Sequence, residues 1–355
     1  MKLADQARCG AIIGWALLTA LLAPVFIQWL PLPQAPTIEG VFIRDNQRNF
    51  PRFLATIKRH QGVLVLGTSE TAAHLSGQNY WALLNRDRDV APYFSVLGGA
   101  GRCSYMWFPT ILANPEAFKG LRVLYYLNPT YWRYDLNGFA VRYYDRYNSP
   151  ELVQSIREKA AQSGLTPFIA PYLNHQPAAL RWTDRLAAVI KVWKSFYSYD
   201  LKSFWQRPMT QKSRSYRNPG ANEIAMWQDG LDLEKNVTHD YAVRNRYDGI
   251  PPVSPSTFQF EALQAFIGLA RDSAIDLVVF IGPYNGILAR RNSPEVIAGY
   301  AKALADIKRL LHATNVKYID GTDLAFQKGV FNDAQHHSAF GAWKIEQRIA
   351  PYYQR

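Results

Sequence analysis

The chain has 355 residues, a formal net charge of +12, 48% hydrophobic and 19% charged residues, a globular composition that excludes disordered, collagenous and repeat chains. Its 21 Tyr, 18 Phe and 10 Trp supply ample core, so neither disulfides nor a structural metal is needed to hold a fold together. Cys9 and Cys103 lie far apart and lack the Cys/His company of a zinc, haem or redox motif, so no metal or cofactor is expected. The positive charge points to an anionic partner, whether nucleic acid, phospholipid or acidic glycopolymer.

Residues 10–32 read GAIIGWALLTALLAPVFIQWLPL, about twenty residues without a charge, enough to cross a ~30 Å hydrocarbon core as a helix. Lys2 and Arg8 precede this run, offset in part by Asp5, and the positive-inside rule then puts the N-terminus in the cytoplasm. A cleaved signal peptide is the alternative, but the apolar run exceeds the usual core of one and no clean small-x-small site follows. Residues 1–36 are therefore expected to be a cytoplasmic N-terminus and single-pass anchor, and residues 37–355 an extracytoplasmic domain. Cys9 precedes the apolar run and so is not a lipoprotein cysteine.

Beyond a Pro-rich stretch (Pro31, Pro33, Pro36), GVLVLGTSE predicts a buried strand over 63–66 that ends at Gly67. YFSVLGG over 93–99 and RVLYYLNP over 122–129 repeat the pattern, as do IDLVVFIGP over 275–283 and VKYID over 316–320. The helix before the fourth strand opens with Ser256 and Gln259 in capping-box spacing and lines up Phe260, Leu263, Phe266, Ile267 and Ala270. The helix before the fifth opens at Ser293-Pro294 and lines up Val296, Tyr300, Leu304, Ile307 and Leu311. Continuously apolar strands alternating with helices predict an α/β fold, a parallel sheet of about five strands with helices on both faces. Residues 134–255 interrupt it with a mostly helical insertion rich in Tyr, Trp, Arg and Lys. Within it, residues 181–217 hold nine Lys or Arg against Asp184 and Asp200, a net +7 and more than half of the whole excess. Such a stretch suits lipid headgroups or an anionic polymer, or is an ordinary solvated face.

In a parallel sheet, ligands bind beyond the carboxyl ends of the strands, which directs attention to the residues just after each one. Gly67, Thr68, Ser69 and Glu70 follow the first, Gly98, Gly99 and Gly101 the second, and Asn128 the third; Asp333, His336 and His337 come near the end. A hydroxyl nucleophile needs a base, the base an orienting acid, and the acyl transition state donors for its oxyanion. Ser69 is the candidate nucleophile, His336 the base and Asp333 the acid, with the Gly101 backbone N–H and the Asn128 side chain as candidate oxyanion donors. Each piece has an ordinary alternative: Ser69 as a turn residue, Asp333 as the cap of a helix over 340–349, Asn128-Pro129 as a turn signal, and Gly98 to Gly101 as a tight turn. His337 is a second candidate base. Glu70 is placed to orient Ser69, to meet an amine on the acyl group, or to favour the N-terminus of a following helix.

The order of these blocks resembles the SGNH (GDSL-like) hydrolase superfamily, a flavodoxin-like fold class, and within it the DltD family of membrane-anchored D-alanyl transfer proteins. The likeness lies in GTSE at 67–70, KGLRVLYYLNPTYW ending at Trp132, and Asp333, His336, Gly341 and Trp343 near the C-terminus. It covers the anchor, the first 130 residues and the last 80 or so, and not the basic middle. Thr68 stands where the family carries Ser, and Asn128 where it often carries Ser. The resemblance implies acyl chemistry outside a bacterial cytoplasmic membrane. There a membrane-bound O-acyltransferase and an acyl donor carrier would be the partners, and the serine would pass the acyl group, D-alanyl in that family, to an envelope polymer or to water. The alternative is a non-catalytic scaffold that holds an anionic glycopolymer or the acyltransferase. The outward topology leaves nucleic acid without access.

Overall fold

The computed structural model describes residues 13–15, 17–19, 22, 49–71, 94–98, 103–133, 150–173, 250, 252–253 and 257–353. By its contacts the chain divides into two compact units, Met1–Arg44 with Pro177–Arg214, and Asp45–Gln176 with Ser215–Arg355. Of the first, the described residues are short helical fragments on which Ile13, Trp15, Leu17, Leu18 and Leu22 are exposed. Among the described residues no helix is long and apolar enough to cross a membrane. Most of 10–32, all of the basic 181–217 stretch, and Ser256 lie outside them.

The second unit carries the sheet. After α1 (Asn49–Arg59) come β1 (Val63–Gly67), β2 (Phe94–Gly98), α2 (Phe108–Ala113), α3 (Pro115–Phe118) and β3 (Arg122–Leu127). α4 (Pro150–Gln162) and α5 (Thr166–Leu173) are the described helices of the insertion. Then follow α6 (Thr257–Asp272), β4 (Asp276–Ile281), α7 (Gly286–Asn292), α8 (Ile297–Ala313), β5 (Lys317–Asp320) and α9 (Ala339–Ile349). The five strands run β2-β1-β3-β4-β5 and pair in parallel throughout, Leu66 opposite Leu97 on one side and Tyr125 on the other.

Every residue of β1 is buried, and all of β3 but Arg122, because layers cover both faces of the central strands. Val63 and Val65 point one way and join Leu124, Tyr126, Phe280 and Ile319 in a core with Phe340, Ala342, Ile345 and Ile349 of α9. Tyr125 points the other way, its ring 5.0 Å from that of Phe266 on α6. The α6 stripe seats Leu263, Phe266, Ile267 and Ala270 in the core, and the α8 stripe seats Tyr300, Ile307 and Leu311. β5, at the edge, buries only Ile319 fully.

The entry to α8 differs from a simple cap. Pro294–Val296 form a 3-10 turn ahead of the helix, and Ser293 Oγ accepts the Ile250 N–H at 3.1 Å instead of capping. The C-terminal helix is capped by Ser338, whose Oγ accepts the Gly341 N–H at 3.0 Å. That leaves Asp333 for another task.

Candidate active site

The strand order reverses at β1: the chain steps outward to β2, then crosses to β3 on the other side. The crevice at the carboxyl ends of β1 and β3 is where such sheets bind ligands. Ser69 stands two residues beyond β1, in a 3-10 turn Ser69–Thr71, and Asn128 stands one residue beyond β3. The turn is tight because Thr71 Oγ1 donates to the Thr68 carbonyl at 2.8 Å. It also needs Gly67, since a Cβ there would stand 2.3 Å from Thr71 Cγ2.

The histidine arrives on a loop closed upon itself. Phe331 and His337 form an antiparallel bridge, the Asn332 N–H donates to the His336 carbonyl at 2.7 Å, and the Ser338 N–H donates to the Val330 carbonyl at 2.9 Å. Asp333 organises the tip: its Oδ1 accepts the backbone N–H groups of Gln335 and His336, both at 2.6 Å. Its Oδ2 lies 2.7 Å from His336 Nδ1, and His336 Nε2 lies 3.1 Å from Ser69 Oγ. A carboxylate accepts only, so Nδ1 carries the hydrogen and Nε2 is left to take the serine proton. Asn285, buried one residue before α7, holds the loop from below: its Nδ2 donates to the Asp333 carbonyl at 2.9 Å and its Oδ1 caps the helix at Leu288.

Glu70 has no exposed surface, and its carboxyl faces inward. Thr68 Oγ1 lies 2.9 Å from its Oε2, and Asn128 Nδ2 donates to its Oε1. Burial pushes this carboxyl up to about 8; the bonds from Thr68 and Asn128 oppose the shift and the Asp333 carboxylate adds to it.

Of the residues singled out in the sequence, Ser69, His336 and Asp333 meet in one relay, with Glu70 and Asn128 adjoining. Gly101 lies outside the described residues. His337 turns away from Ser69, its Nε2 2.6 Å from the Tyr126 hydroxyl and its ring 5.0 Å from that of Phe331. Burial, with the neighbouring His336, pulls its pKa down to about 3, so it stays neutral as part of the core. The Asn128 side chain, the candidate oxyanion donor, gives its two hydrogens to Glu70 Oε1 and, at 2.9 Å, to the Pro283 carbonyl. Sequence reading missed Asn285 and Thr130, and saw Tyr300 only as a core residue of its helix, whereas its hydroxyl donates to Thr130 Oγ1 at 3.2 Å. Applying the strand-end rule to β4 as well would have drawn attention to Asn285 in PYNG. Searched against models of known protein families and against curated proteins, the chain matches none.

Proposed function

We propose that this protein is a membrane-anchored serine acyltransferase or esterase that O-acylates a cell-envelope polymer through an acyl-Ser69 intermediate, in the manner of the SGNH and DltD families. The observation that carries the reading is the relay Asp333–His336–Ser69, at 2.7 and 3.1 Å, beyond the carboxyl ends of parallel strands. The β2-β1-β3-β4-β5 order supports the flavodoxin-like assignment.

His336 Nε2 takes the Ser69 proton as Oγ attacks the acyl carbonyl carbon, and the carbonyl electron pair moves onto oxygen. Collapse of that intermediate expels the donor's leaving group, to which His336 returns the proton. The acceptor hydroxyl then gives its proton to His336 and attacks the acyl-Ser69 ester, and the Ser69–acyl bond breaks as His336 returns that proton to Ser69 Oγ. Asp333 holds the imidazole in the required tautomer and stabilises its protonated form. The Gly101 backbone N–H is the proposed oxyanion donor. A membrane-bound O-acyltransferase would deliver the acyl group from its carrier to the outer face of the membrane.

The reading is tested in a strain whose sole copy carries Ser69→Ala, by measuring alkali-labile esters on its envelope polymers. One ester should disappear, and its identity names the acyl group and the acceptor together. Wild-type ester levels in that strain would refute the reading.

A further inference from the structure

Asn128 is 2% exposed, and the backbone fixes which way its carboxamide faces. Its Oδ1 accepts the Thr130 N–H at 3.0 Å and the Thr130 hydroxyl at 2.8 Å, while its Nδ2 donates to the Pro283 carbonyl at 2.9 Å. Turning the group over would set oxygen against a carbonyl and N–H against N–H. The atom that faces Glu70 Oε1 is therefore Nδ2. With that bond made, both hydrogens and both lone-pair sites of the carboxamide are engaged. They tie together the ends of β1, β3 and β4.

Glu70 occupies the middle of the turn that carries Ser69, and its other oxygen meets Thr68. Its Oε1 accepts from Asn128 and its Oε2 accepts from the Thr68 hydroxyl. We propose that Asn128 and Glu70 form a hydrogen-bonded clamp that sets the Ser69 turn against the ends of β3 and β4, making Asn128 a positioning residue and not a donor to the oxyanion. The clamp rests on the acyl-transfer reading only for its rate readout.

The test uses the full chain in detergent as Glu70→Ala, Asn128→Ala, their double variant, and Glu70→Gln. Two quantities are measured on each: the rate at which a fluorophosphonate labels Ser69, and the urea midpoint of unfolding. Each alanine should slow labelling roughly 10- to 100-fold by misplacing the serine, and the double variant should be no slower than the worse single one. Glu70→Gln, which copies the neutral acid, should recover most of the rate that Glu70→Ala loses. An Asn128→Ala loss of ~10²- to 10³-fold that persists unchanged in the Glu70→Ala background marks an independent oxyanion donor and overturns the proposal. So does a folded Glu70→Gln protein that labels as slowly as Glu70→Ala. If wild-type Ser69 does not label at all, the acyl-transfer reading fails, and the unfolding midpoints still decide the clamp. Non-additive shifts support it and additive ones overturn it.

Discussion

Burial raises the Glu70 carboxyl to about 8 against the bonds from Thr68 and Asn128, and stability therefore depends on pH in a definite direction. Between its ordinary value of 4.5 and about 8, the unfolded chain has released a proton that the folded chain retains. Stability contributed by this group falls as pH rises through that window and levels off above it, by a few kcal/mol in all, on the order of 1.4 kcal/mol for each pH unit of the window. Glu70→Gln has no such proton to lose. Its urea midpoint should gain on the wild type between pH 4 and pH 9, and a constant difference across that range would contradict the buried neutral acid. His337 works on the other side: held neutral down to about 3 against an ordinary 6.5, it loses stability as pH falls through that interval. His337→Gln should flatten the acidic limb of the wild-type stability curve while leaving the alkaline limb in place.

At the scale of elements, α9 matters because the loop that carries His336 is fastened to its first turn. Ser338 caps the helix, and its Oγ also donates to the Gly329 carbonyl at the start of that loop. Gly341 sits where a Cβ would lie 2.0 Å from the Val330 carbonyl oxygen, and backbone on both sides cannot yield without moving the helix. Gly341→Ala should destabilise the fold by about 1 to 3 kcal/mol or more and depress Ser69 labelling with it. Gly299, exposed within α8, has nothing within 4 Å of a built Cβ. Gly299→Ala should stabilise by about 0.5 to 1 kcal/mol and leave labelling alone, since alanine narrows the unfolded ensemble and fits a helix better. Comparing the two by urea unfolding separates close packing from glycine content. Equal effects would remove the packing argument.

For the whole molecule, the sheet was legible because each strand is a short apolar run closed by Gly, Asn, Asp or Pro, and each crossover helix repeats its apolar residues at helical spacing. The relay residues were legible for a related reason: in a parallel sheet the reactive groups gather where strands end. Other assignments depended on partners distant in the chain. The orientation of Asn128 is fixed partly by a carbonyl 155 residues away, and His337 is held by a tyrosine 211 residues away. A local pattern carries no trace of either. Asn285 was missed although its position just past β4 follows the same strand-end logic as Ser69. Two expectations drawn from the sequence, the anchor at 10–32 and the basic +7 stretch, fall largely or wholly outside the described residues, so they enter the account through composition alone.

In the proposed mechanism Ser69 is a nucleophile driven by His336 and Asp333. That role is tested most directly by treating the full chain in detergent with a fluorophosphonate and locating the adduct by peptide mass spectrometry. A single adduct on Ser69 is expected, absent in Ser69→Ala and at least about a hundredfold slower to form in His336→Ala. No adduct on the folded wild-type protein, or an adduct that forms at the wild-type rate without His336, would contradict it.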